Sequence, residues 1–201
     1  MEGGIAEWII SNRIEISGTV FGIIYVILSV KQKVATWFFG LLTSLLYIYI
    51  FFSAKIYAQM SIQFYYVFIS LYAWILWAKG SKEGSGLKQL HVTYLDKSQV
   101  LIFSGVTLLI WATVNIILKK FTDSPVSVAD SLIAALSITA TWMLARKKIE
   151  NWLIWIVANG FSVGLYLYQN MYATSILYII YLASAVWGFI EWRRDYKKIN
   201  G

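Results

Sequence analysis

The sequence predicts an all-α integral membrane fold of seven transmembrane helices, and three observations predict it. The composition is wrong for a surface in water: 59% of the 201 residues are apolar and 13% are charged, where a soluble domain needs roughly 25% charged residues to cover itself. The apolar residues come in runs of about 20, the length that crosses a hydrocarbon core. The chain also repeats itself at an offset of 115 residues, which sorts the seven segments into three, one and three.

The first segment, near 14–30, follows Met1-Glu2-Gly3-Gly4, which lacks the basic region of a signal peptide, so this helix is expected to be retained. Segments near 34–53 and 59–78 follow across short loops. Residues 79–97, rich in Gly, Ser and Lys, read as a flexible linker. A linking helix is expected at 99–118, then segments near 128–145, 150–168 and 173–192. The whole chain, 1–201, reads as a single membrane domain, with repeat one at 13–79, the linking helix at 99–119 and repeat two at 128–194.

Charge sets the expected orientation. Seven spans put the termini on opposite sides. Of the 17 Lys and Arg, only Arg13, Lys55, Lys119 and Lys120 fall on the N-terminal side. The positive-inside bias therefore places the N-terminus outside and the C-terminus in the cytoplasm of a bacterial inner-membrane protein. The net charge of +7 sits in short loops between apolar runs, a topology signal rather than a nucleic-acid-binding face. The absence of Cys excludes disulfide frameworks and thiolate metal sites.

Under the 115-residue offset, Glu15 meets Asp130 and Lys31-Gln32-Lys33 meets Arg146-Lys147-Lys148. Trp37 meets Trp152, Tyr57-Ala58 meets Tyr172-Ala173, Tyr66 meets Tyr181 and Trp77 meets Trp192. Three helices alone would invert the second half; the linking helix restores its orientation. The expected halves are parallel repeats about an axis along the membrane normal, an arrangement suited to alternating access.

A polar and aromatic stripe marks the candidate solute site. On helix six, Trp152, Trp155, Asn159, Ser162 and Tyr166 share one face. Helix two carries Trp37, Gly40, Ser44, Tyr47 and Phe51 on the matching face. Helix three offers Gln59, Gln63, Tyr66, Ser70 and Trp77, and helix seven Thr174, Tyr178, Tyr181 and Trp192. Helix four adds Trp111 and Asn115. Aromatic faces stack on flat rings and attract cations, and amides near the midplane must find partners. The set suits a planar heteroaromatic bearing hydroxyls, cationic or neutral. The competing reading makes the helix-end tryptophans interfacial anchors, and Gly40, Ser44, Ser70, Asn115, Gln63 and Asn159 helix-packing residues. No Asp or Glu lies near the middle of a span, which favours facilitated diffusion over proton coupling, with the solute trapped by a cytoplasmic kinase.

Other classes fit less well. A retinal protein needs a Lys in helix seven, and 173–192 has none. A hydrolase would need a base, and the only His is His91, in the linker. Neither an enzyme nor a bound cofactor or metal is expected. A non-transporting membrane interaction protein is the alternative outside transport.

The run Ala145-Arg146-Lys147-Lys148-Ile149-Glu150-Asn151-Trp152-Leu153-Ile154-Trp155-Ile156 resembles the signature of the PnuC-type transporters of nicotinamide riboside. Trp37-Phe38-Phe39-Gly40, Lys55 to Met60 and Gln63 resemble that family too. The resemblance covers nearly the whole chain. It implies a full-length SWEET-like fold, a homotrimer, and facilitated diffusion of an unphosphorylated vitamin. It places stacking and hydrogen-bonding roles on Trp155, Asn159 and Gln63, then on Tyr66, Tyr178 and Tyr181; Asn115 and Gln59 complete the candidate set. Thr141-Trp142 departs from the Gln-Trp of many such carriers, and Asn159 from the Asp of some relatives. Thiamine and riboflavin, carried by related branches, are the alternative substrates.

Overall fold

The computed structural model describes residues 13–53, 57–79, 81–83, 86–88, 90–121, 127–168 and 170–200. Seven helices occur among them: α1 (Arg13–Val30), α2 (Ala35–Ser53), α3 (Tyr57–Lys79), α4 (Lys97–Phe121), α5 (Ser127–Ala145), α6 (Asn151–Tyr168) and α7 (Tyr172–Asn200). Between α3 and α4, β1 (Ser81–Glu83) and β2 (Gly86–Lys88) pair antiparallel, Lys82 opposite Leu87.

Five helices are long and apolar enough to cross a bilayer: α2, α3, α4, α5 and α7. In α1 the apolar stretch Ile16–Val30 is shorter. α6 has 18 residues, but Asn151, Asn159, two Trp and two Tyr lower its hydropathy. α7 outruns its expected end by eight residues. Its charged tail continues as helix beyond the apolar span, with ion pairs three residues apart between Arg194 and Glu191 and, at 3.6 Å, between Lys198 and Asp195. The linker is more ordered than its composition predicts, because the β1–β2 pair and a docked stretch at 90–96 take up much of it.

The chain divides into two compact units, residues 1–89 and 90–201. In the first, α2 packs on both α1 and α3. Their meeting point is Trp37, buried, edge-on to Trp77 at 5.3 Å and 89° and to Tyr25 at 6.1 Å and 75°. One turn on, Gly40 brings α2 close to its neighbours: a Cβ there would lie 3.0 Å from the Tyr25 ring and 3.1 Å from Ser70 Oγ.

In the second unit α5 packs on α4 and α6, and α6 packs on α7. Polar pairs stitch α4 to α5: Thr107 Oγ1 and Thr139 Oγ1 at 2.9 Å, and Asn115 Nδ2 donating to Ser131 Oγ at 3.1 Å. Trp152 meets Trp192 edge-on at 5.4 Å and 89°. Gly188 lets the Trp152 indole lie against α7, since a Cβ there would come within 2.6 Å of the ring.

Both units close a helix with the same turn. After α1, Gln32 takes φ 52°, its N–H bonds Ser29 O at 3.0 Å, and Lys33 N–H bonds Leu28 O at 3.0 Å. After α5, Lys147 takes φ 52°, its N–H bonds Leu144 O at 2.9 Å, and Lys148 N–H bonds Met143 O at 2.9 Å. Each is a Schellman cap, which satisfies the last helix carbonyls through one left-handed residue. A third cap follows α6 at Asn170, φ 60°, where Asn tolerates that conformation better than Gln or Lys.

Candidate solute-binding site

α6 has two faces. Leu153, Val157, Phe161 and Leu167 are exposed on one, as lipid-facing residues are. Asn151, Trp152, Ala158, Asn159 and Ser162 are buried on the other. Asn159 is the ninth of 18 residues, so it lies about 12 Å along the helix, at mid-span. Its side chain is 5% exposed, and it makes no hydrogen bond to a described residue. Trp155, one turn before it, is half-buried. Ser162 Oγ donates to Ala158 O at 2.9 Å and so is satisfied within its own helix.

Beyond Ser162 the face becomes a tyrosine stack. Tyr166 of α6 packs on Tyr178 of α7 at 5.0 Å with the rings 37° apart, and Tyr178 meets Tyr181 edge-on at 5.8 Å. All three are half-buried. The structure therefore gathers Tyr178 and Tyr181 of α7 with Tyr166 of α6, the helix that also carries Trp155 and Asn159. Tyr166 shares the α6 stripe in the sequence, but its pairing with α7 has no signal there.

The first-unit candidates lie on α3. Gln63 and Tyr66 are half-buried, and Tyr66 meets Tyr65 at 5.4 Å. Tyr65, absent from the sequence-derived set, extends that aromatic surface; its neighbouring position carried no helical spacing to mark it. The side chain of Gln59 lies outside the described residues. Asn115 is engaged with Ser131 between α4 and α5.

The helix-end tryptophans Trp37, Trp77, Trp152 and Trp192 are buried in edge-to-face pairs and do not face lipid. Trp37 Nε1 and Trp152 Nε1 are buried without a hydrogen-bond partner, as are Thr36 Oγ1 and Asn151 Oδ1 beside them. Two open cavities of about 370 and 640 Å³ border α6. They are lined by Ala129, Val157, Gly160, Phe161 and Leu165 among others, on the apolar face, and apart from Tyr168 their lining side chains offer no polar group to a solute.

Outside the spans, burial of the Lys147 ammonium pulls its pKa down to about 8, against the opposing charge of Asp195. Asp96, at the start of α4, is held below the usual carboxylate range by the Ser98 hydroxyl at 2.6 Å and the Gln99 N–H at 2.8 Å. It caps the helix N-terminus.

A family model described as nicotinamide mononucleotide transporter matches residues 12–194. The nicotinamide riboside transporter PnuC of Escherichia coli (strain K12) is 27% identical over 203 residues, covering 89% of this chain and 84% of its own. The riboflavin/roseoflavin transporter RibM of Streptomyces davaonensis is 24% identical, covering 90% of this chain and 87% of its own. A crystal structure of the vitamin B3 transporter PnuC aligns with a TM-score of 0.74 and 22% identity, over 98% of this chain and 88% of that one, and shows the shared fold. Matched over most of its length and built of membrane-spanning helices, this multi-pass protein of the bacterial inner membrane belongs to the nicotinamide mononucleotide transporter family, a family of membrane transporters.

Proposed function

We propose that the protein takes up nicotinamide riboside by facilitated diffusion, with Trp155, Asn159 and Gln63 as principal contacts and Tyr66, Tyr178, Tyr181, Asn115 and Gln59 as supporting ones. The observation that carries the reading is Asn159. It is a buried amide at mid-span with no hydrogen bond to a described residue, on a helix whose Tyr166 meets a pair of tyrosines on α7. An amide in that position costs several kcal/mol unless something bonds it, and a ribosyl hydroxyl is a fitting partner. The aromatic rings suit a flat, cationic pyridinium.

The site favours the riboside over the mononucleotide of the family description. Residues 57–78, 151–168 and 172–192 contain no Lys or Arg, so a phosphate dianion there would lose its hydration with no cation to replace it. Trapping by a cytoplasmic kinase after entry follows from the same selectivity.

The architecture behind this reading is a SWEET-like three-one-three parallel repeat, with repeats at 13–79 and 128–194 and the linking helix at 99–119. The two Schellman caps and the two Trp pairs, each 115 residues apart, support it. The N-terminus lies outside, the C-terminus in the cytoplasm, and three copies assemble. Riboflavin is the second reading, favoured by the likeness to RibM; thiamine shares the flat cationic chemistry.

Calorimetric titration of the purified protein with nicotinamide riboside, riboflavin and thiamine tests the proposal. One vitamin is expected to bind with micromolar Kd, with Asn159→Ala and Trp155→Ala each weakening it at least about tenfold, the loss of one good polar or stacking contact. Binding untouched by both substitutions would remove α6 from the site. Binding of none of the three would remove the vitamin assignment.

A further inference from the structure

The linker does more than join two units. Residues 92–95 dock against the turn between α5 and α6, at the entrance to the helix that carries Trp155 and Asn159. Thr93 N–H donates to Lys147 O at 3.1 Å, and Ile149 N–H donates to Thr93 O at 3.0 Å, a parallel bridge beside Lys148. Lys148 Nζ donates to Tyr94 O at 3.2 Å, and the Tyr94 ring packs on Tyr196 of α7 at 4.8 Å. Val92 and Ile149 are buried beneath this strand. The contact that reaches the site helix itself is made by Glu150, whose Oε1 accepts the N–H of Leu95 at 2.9 Å.

Glu150 flanks the first residue of α6. Its carbonyl accepts the N–H of Ile154 at 3.2 Å, so its backbone begins the helix while its side chain holds the linker. A carboxylate is favoured at a helix N-terminus, where the unpaired amides and the helix dipole attract negative charge. Its second oxygen, Oε2, is buried without a hydrogen-bond partner, so the Leu95 N–H is the bond that holds this charge in one geometry. The next residues are Asn151, whose Nδ2 donates to Lys148 O at 2.6 Å, and Trp152, wedged against Gly188. A shift at Glu150 is therefore passed along the helix to Trp155 and Asn159, about one and a half and two and a half turns further on.

We infer that Glu150 is a positioning residue of the solute site, which sets the pose of α6 through the linker amide of Leu95. This rests on the α6 site proposed above. The linker segment 92–95 then belongs to the transport machinery, because it docks within the unit that carries Asn159.

The test uses full-length protein in detergent, titrated with nicotinamide riboside, together with amide exchange over residues 151–155. Glu150→Ala removes the acceptor, and Leu95→Pro removes the donor while leaving Glu150 in place. Each is expected to weaken affinity about tenfold and to speed exchange at 151–155, and the double variant is expected to be no worse than either. Glu150→Gln keeps an acceptor oxygen and stays within about threefold of the parent. Single effects that multiply in the double variant, or a lowered melting temperature with unchanged affinity in the folded fraction, overturn the proposal. If the parent protein binds no nicotinamide riboside, the substrate reading falls and the exchange data decide alone. Lost protection at 151–155 in both variants upholds the positioning role, and retained protection ends it.

Discussion

A single methyl group added at Gly188 tests how tightly α6 and α7 are joined. A Cβ at this position would lie 2.6 Å from Cδ2 and Cε2 of Trp152 and 2.7 Å from Cε3, where carbon atoms prefer about 3.5–4.0 Å. The ring has nowhere to retreat, being 3% exposed and seated edge-on against Trp192 at 5.4 Å. Ring and helix must therefore part by roughly 1 Å. Overpacking of a filled core costs about 1–3 kcal/mol, and three short contacts place Gly188→Ala at the upper end. The better helix propensity of Ala returns about 1 kcal/mol. The net loss of about 1–2 kcal/mol corresponds to a melting temperature roughly 2–8 °C lower for a chain of this size. Intrinsic tryptophan fluorescence on heating the detergent-purified protein reads it directly. Gly160→Ala is the control, since a Cβ there meets nothing within 4 Å, and it should melt no lower than the parent. A Gly188→Ala protein that melts with the parent would refute the packing described for Trp152.

Three further outcomes are expected. Lys147 releases its proton at about 8 in the folded protein and at 10.5 in the unfolded chain, so between these values the unfolded state holds the extra proton and stability rises with pH. The gain is at most about 3 kcal/mol; denaturant unfolding at pH 7.5 and 10 should show it, and Lys147→Asn should remove it while tolerating the left-handed turn. Gln32→Gly relieves the positive φ of 52° and should stabilise by about 1 kcal/mol. Asn170→Gly should gain less in the same melting assay, because Asn already suits that conformation.

Much of the fold is legible from hydropathy alone, since the seven helices fall within a few residues of the apolar runs, apart from the charged end of α7. That tail shows the limit of the method: from Arg193 to Asn200 no apolar run marks the helix, and its ion pairs sustain it instead. The linker was illegible for a similar reason. Gly, Ser and Lys state no preference, and the docking of Val92 to Leu95 depends on partners some 55 residues away. Trp37 and Trp152 show a third limit. A tryptophan near a helix end has the same spacing whether it faces lipid or a neighbouring helix, and only the tertiary packing shows both to be buried. The α6 stripe was visible by periodicity, but the meeting of Tyr166 with Tyr178 across two helices was not.

The two units agree where they turn and differ where a solute would be read. Their caps at Gln32 and Lys147 and their Trp pairs match in angle and distance. Yet 115 residues before Trp155 stands Gly40, and before Asn159 stands Ser44. Gly40 is taken up by close packing against Tyr25 and Ser70, and Ser44 Oγ spends its one proton on Gly40 O at 2.9 Å, so neither offers a side-chain donor. Trp155 is half-buried and Asn159 makes no hydrogen bond to a described residue, so donor capacity remains on the second unit. On the proposed reading, much of the discrimination among vitamins falls to α6 and α7, in addition to Gln63 and Tyr66 of α3, while the turns and Trp pairs supply a frame that can stay constant. Relatives with differently named cargoes, riboside in one and riboflavin in another, are what such a division of labour would produce. Few residues then need to change for the solute to change, and none of them lies in the turns that hold the helices together.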